Sequence, residues 1–222
     1  MRHRNFDKAS AQMKKQHTLV SLLTKKKPNI MAQATTTTTS NHQRTNQNTK
    51  ESTHTIVNQS INQSVFKMAL VVESWGKVKA IGDNYDEVAG ELLFKKIFEM
   101  NPGAMAFFKF ADGYETADEA MYKSELFKKH ATGVVKAVTK AVELLEANDM
   151  EKLVEVLQGL GAKHAHLKLE KAHYELVGNA LVETLAAALG DAFTPETKEA
   201  WVGVYGVITE NMMEGAADML KE

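Results

Sequence analysis

From Met68 to the C-terminus, apolar side chains recur every third or fourth position, and no segment alternates apolar with polar residues at the period of a strand. The spacing predicts a helix from Ala69 to Ala80, ended near Gly82, and a second from Tyr85 to Met100. Asn101-Pro102 reads as an N-cap followed by proline at the first helical position, opening a short helix to about Phe108. The polar stretch from Ala111 to Lys123, with Asp112-Gly113 inside it, reads as a loop with at most one helical turn. Longer periodic runs follow from Ser124 to Asn148, Glu151 to Lys163 and Lys171 to Leu189, the last stopped by Gly190. Thr194-Pro195 repeats the cap-then-proline signal and opens a final helix to about Leu220. Six or seven helices without a strand make an all-α fold, packed helix on helix.

Residues 1–67 break this pattern. They contain neither Gly nor Trp, include the run Thr35-Thr36-Thr37-Thr38-Thr39, and are rich in Asn, Gln and Ser. So few apolar residues cannot bury enough surface to offset chain entropy. Residues 1–67 are therefore expected to be a disordered extension, and residues 68–222 one compact domain. Charge divides at the same place. The whole chain has 27 Lys and Arg against 28 Asp and Glu, but the only acids of the extension are Asp7 and Glu51, so the domain is left acidic.

An acidic domain is poorly suited to phosphate contacts, so nucleic acid is not expected as a partner. No apolar run approaches the roughly 18 residues that span a bilayer, so neither is a membrane. The absence of cysteine excludes disulfides, thiolate metal sites and thiol nucleophiles, and fits a reducing compartment. The expected location is the cytoplasm. The basic, acid-poor extension also has the composition of an organelle transit segment, so import is one alternative. An extension without function, with Met68 as the working start, is another.

Two predicted helices carry a histidine on an apolar stripe. Phe127, His130, Val134, Ala137, Ala141 and Leu145 share one face of the first. Leu153, Leu157, Leu160 and His164 share one face of the second. A neutral imidazole set in apolar surroundings is what an iron porphyrin uses. Two satisfied core histidines in a chain with eight are the competing reading, and the two stripes alone do not decide between them. His166 lies about 200° from His164 around a helix, so it faces solvent or a pocket rim. That also disfavours zinc on His164, His166 and His173, since helical ligands want a four-residue spacing. Gly159-Leu160-Gly161 mimics the start of a dinucleotide fingerprint, but the third glycine and the preceding strand are missing.

The order of several segments carries a resemblance. These are Leu70-Val71-Val72-Glu73-Ser74-Trp75, Leu93-Phe94 through Asn101-Pro102, Phe107-Phe108-Lys109-Phe110, Phe127-Lys128-Lys129-His130, Leu160-Gly161-Ala162-Lys163-His164, and Phe193-Thr194-Pro195-Glu196 through Trp201 and Tyr205. In this order and at these spacings the chain resembles globins, and among them plant non-symbiotic haemoglobins and neuroglobins. The resemblance implies a globin fold of six to eight helices around a haem pocket holding haem b and its iron. It makes His164 the proximal iron ligand and His130 the distal histidine, able to serve as a sixth ligand. Phe108 would pack on the porphyrin, with Phe110 beside it. Phe94 would be the distal aromatic and Val134 the branched residue over the iron. Leu160, Leu169, Tyr174, Val177 and Tyr205 would line the rest, ordinary core packing being the competing role for these five.

Two departures stand out. Gly133 occupies the place of a lysine that in neuroglobins reaches a haem propionate. The domain also has no arginine, so propionate partners would be Lys129, Lys163 or His166. The function implied is reversible binding of oxygen, and of NO or CO, as in oxygen transport, with two histidines on the iron when no ligand is present. NO dioxygenation or nitrite reduction with an external reductase is one alternative. A redox or oxygen sensor is the other. The protein is expected to be a monomer or a homodimer.

Overall fold

A computed structural model describes residues 44–221. The chain divides into two units, Met1–Phe66 and Lys67–Glu222. Among the described residues every regular element is helical: α1 (Arg44–Lys79), α2 (Tyr85–Met100), α3 (Glu119–Lys123), α4 (Glu125–Glu146), α5 (Met150–His164), α6 (Lys171–Leu189) and α7 (Pro195–Met219). Short 3-10 turns lie at Pro102–Phe107, Lys109–Ala111, Ala165–Leu167 and Gly190–Ala192. No described helix is long and apolar enough to cross a membrane.

The first helix starts well before Ala69, at Arg44, so residues 44–67 of the expected disordered extension are helical; residues 1–43 lie outside the described residues. From Arg44 to Trp75 the chain has no Gly and no Pro, so once the packed half of the helix is formed, nothing in the sequence stops it growing backwards. The short helix after Asn101 is a 3-10 turn, and the Asn101 side chain makes no capping hydrogen bond, although proline does stand at its start. Phe108 then adopts extended backbone between two 3-10 turns. Asn84 ahead of α2 likewise makes no side-chain cap, whereas α4, α5 and α7 are capped by side chains. Ser124 accepts from the Phe127 amide, Asp149 from Lys152 and Thr194 from Thr197, each satisfying a donor that the first helical turn leaves open.

The core gathers Trp75, Trp201, Phe94, Phe127, Leu93, Ile97, Met121, Leu153 and Val71, all with almost no exposure. α2 packs across α4 and α6, and α5 lies along α7. The crossing of α2 with α4 is close because Gly90 has no side chain. A Cβ there would stand 2.8 Å from both the carbonyl carbon and the oxygen of Ala131. The two tryptophans meet at 5.5 Å between ring centres, and both N–H groups are satisfied. Trp201 Nε1 donates to Ser74 Oγ at 2.9 Å, and Trp75 Nε1 to Thr139 Oγ1 at 3.1 Å. Thr139 Oγ1 in turn donates to the Val135 carbonyl at 3.0 Å. An apolar hollow bounded by Val78, Leu93, Val138, Leu181 and Leu185 lies between α1, α2, α4 and α6; none of the predicted pocket residues borders it.

Candidate functional site

α4 presents two adjacent stripes. Phe127, Ala131, Val135, Val138, Val142 and Leu145 are buried against the rest of the bundle. Beside them His130, Val134 and Ala137 are only half-buried. α5 does the same: Leu153 and Leu157 are buried, while Leu160 and His164, further along the stripe, are half-buried. Half-buried apolar positions beside a buried stripe keep surface that a bound group could cover.

The imidazole of His164 is held by its own helix. Its Nδ1 lies 2.8 Å from the carbonyl oxygen of Leu160. A carbonyl can only accept, so the proton of this bond sits on Nδ1, and Nε2 is the ring nitrogen left to bind a metal. This fits an axial ligand to a haem iron, where the bond made by one ring nitrogen sets the donor character of the other. Among the described residues no three His, Asp or Glu side chains gather into a metal cage.

His130 stands among aromatic rings. Its ring centre is 5.5 Å from Phe94, 5.5 Å from Phe108 and 5.3 Å from Phe110. Phe108 and Phe110 stack on each other at 5.1 Å, an arrangement set up by the extended backbone of Phe108 between its two turns. Burial among these rings lowers the pKa of His130 below the usual histidine value, and the influence of His164 lowers it further. Both effects favour the neutral imidazole at His130. Phe94 and Phe110 are themselves buried, whereas Phe108 is half-buried.

The remaining predicted positions come from three further segments. Leu169 stands half-buried between the Ala165–Leu167 turn and α6. Tyr174 is buried on α6, and Val177 is half-buried one turn on. Tyr205 of α7 lies with its ring directly against Gly178, where any side chain would collide with it. Burial pushes the Tyr205 hydroxyl well above the usual tyrosine range, with Tyr174 adding to the effect. Lys129, Lys163 and His166 are exposed beside the two histidines.

Three contacts were not foreseen from the sequence. The Phe107 ring meets His173 at 4.4 Å. His173 in turn accepts from the Glu170 amide at 2.9 Å and closes a capping box at the start of α6. The third is the contact of α5 with α7 through Gly161 and Gly215. The box had a local signal, Glu followed three residues later by an acceptor side chain. The glycine contact had only the presence of Gly161 within a helical stretch.

Comparison with known proteins bears on the family and the fold. Residues 91–212 match the family model Globin. The neuroglobin of Danio rerio is 30% identical over 148 residues, covering 67% of this chain and 89% of its own length. The neuroglobin of Tetraodon nigroviridis is 29% identical over 128 residues, covering 58% and 79%. Among solved structures, a hexacoordinated heme protein from an anhydrobiotic tardigrade superposes with a TM-score of 0.59, covering 68% of this chain and 93% of that one. At 20% identity the last likeness speaks for the fold. The family match over more than half the chain, and a relative covered almost end to end, turn the resemblance in the sequence into kinship: the chain belongs to the globin family of haem-binding proteins.

Proposed function

We propose that this globin holds haem b between His164 and His130 and reversibly binds oxygen, NO or CO there, with His130 as sixth ligand when none is present. The observation that carries the reading is the bond from His164 Nδ1 to the Leu160 carbonyl, which leaves Nε2 as the ring nitrogen available to a metal. His164 and His130 would hold the haem, which would supply an iron able to bind these imidazoles or a diatomic ligand. The absence of cysteine leaves no thiol for covalent attachment of the porphyrin, which supports haem b over a thioether-linked haem. Lys129 and Lys163 are exposed and make no ion pair among the described residues, which supports them, with His166, as partners for the propionates.

His130 has two uses in the neutral form. Its lone pair can occupy the sixth position, or its N–H can hydrogen-bond a diatomic ligand, worth roughly 1–3 kcal/mol in a dry pocket. Phe94 has no hydroxyl and adds no second donor. Competition from His130 lowers apparent ligand affinity by the fraction of time that the sixth position is open. The tardigrade protein of similar fold is a hexacoordinated one, which supports the same reading here.

The test is the visible spectrum of the haem-loaded chain, reduced without oxygen. Sharp, split bands are expected, and His130→Leu converts them to the single broad band of five-coordinate iron. A spectrum unchanged by His130→Leu removes His130 as ligand. Retention of the same axial nitrogen signature in His164→Ala removes His164.

A further inference from the structure

The helix that carries His164 is laid against α7 with no side chain between the two backbones. An added Cβ on Gly161 would fall 2.6 Å from the carbonyl carbon of Met212 and 2.8 Å from its Cα. The contact is answered from the other side: a Cβ on Gly215 would fall 2.6 Å from the carbonyl carbon and Cα of Gln158. Gln158 pairs with Gly215 and Gly161 with Met212, so two antiparallel helices each contribute one glycine, three residues from the partner's contact. All the atoms met are backbone, so no change of rotamer can make room. Packed helices ordinarily stand about 8–10 Å apart, and only missing side chains allow a closer approach. Gln158 Nε2 also bonds Glu214 Oε2 at 3.2 Å beside the crossing.

We propose that Gly161 and Gly215 are positioning residues for the proximal histidine: by seating α5 directly on α7 they set how far the His164 imidazole reaches into the pocket. The proposal rests on His164 being the proximal ligand. Gly161 is one turn before His164, and it is buried while His164 is half-buried. The imidazole is bound to the Leu160 carbonyl of the same helix, so it has no freedom to compensate when α5 moves. A displacement of α5 at Gly161 is therefore passed to Nε2 undiminished.

Helix α5 supplies a matched control. Gly159 is only two residues away, and a Cβ there meets nothing within 4 Å. Gly159→Ala, Gly161→Ala and Gly215→Ala are each made in the full chain carrying His130→Leu, so that iron keeps one protein ligand. The readout is the iron–histidine stretching band of the reduced, haem-loaded protein by resonance Raman, which follows the strain in that bond rather than the stability of the fold. Gly161→Ala and Gly215→Ala are expected to shift and broaden the band, with Gly159→Ala leaving it in place. Trimming the Met212 side chain with Met212→Ala is expected not to restore the band in Gly161→Ala, since the obstruction is backbone. Haem-loaded glycine variants with an unmoved band overturn the proposal, as does a shift of the same size in Gly159→Ala. Should neither glycine variant fold, hydrogen exchange in the unmutated holoprotein decides. Amides of residues 158–164 and 211–215 are then expected to open together, and independent opening overturns the proposal. A parent chain that takes up no haem instead removes the proposed function.

Discussion

Protonating His130 is harder in the folded chain than in the unfolded one, because burial, with His164 second, lowers its pKa. Above its ordinary value of 6.5 both states are neutral and its effect on stability is nil. As pH falls below that value the unfolded chain takes up the proton first, so stability is lost until the folded pKa is also passed. For the haem-free protein we predict a fall in urea midpoint between about pH 7 and about pH 5, made shallower by His130→Leu. An equal slope in that variant would assign the acid sensitivity elsewhere. Gly133 offers a second test. A side chain there meets nothing within 4 Å, so Gly133→Lys should fit, stabilise α4 by about 0.5–1 kcal/mol and slow haem loss by adding a cation at the rim. At this scale the stripe positions of both histidines were legible, since a polar ring on an apolar stripe is visible in one helix at a time, whereas the rings around His130 came only from the family resemblance. The tautomer of His164 was not, because it depends on a carbonyl that only the folded helix brings to 2.8 Å.

Helix limits followed the sequence wherever punctuation is local. α2 and α6 run over the predicted Tyr85–Met100 and Lys171–Leu189, the second ended by Gly190 with positive φ. α1 ran past its expected start because its Thr- and Asn-rich half carries no breaker, and the apolar pattern that revealed the other helices is sparse there. Close contacts between helices were the least legible feature. Gly90 and Gly161 sit inside periodic stretches, where glycine normally costs helix stability, and what it makes room for lies on another element. At Gly90 that is the Ala131 backbone. Gly90→Ala should therefore destabilise the protein by roughly 1–3 kcal/mol in urea unfolding, although alanine is the better helix former. A stabilised variant would mean that the crossing yields without cost.

Across the whole molecule, stability rests on the core more than on charge. The ion pairs join lysines to acids on the surface, most within one helix, and such pairs contribute about 0–1 kcal/mol each. The buried polar groups matter more. Thr139 of α4 receives the Trp75 N–H, while Ser74 of α1 receives the Trp201 N–H from α7. Thr139→Val keeps the shape and strands the Trp75 donor, for an expected loss of about 1–3 kcal/mol in denaturant unfolding. Loss of nothing would mean that water reaches the indole. The same pair of indoles has an optical consequence. They are the only tryptophans in the chain, both fully buried and 5.5 Å apart, so ultraviolet emission comes from a single locus inside the globin core. A porphyrin bound in the same small domain lies within energy-transfer range of that locus, so emission dims as the cofactor enters and brightens as it leaves. The chain thus carries an intrinsic fluorescent gauge of its own loading, readable without a label.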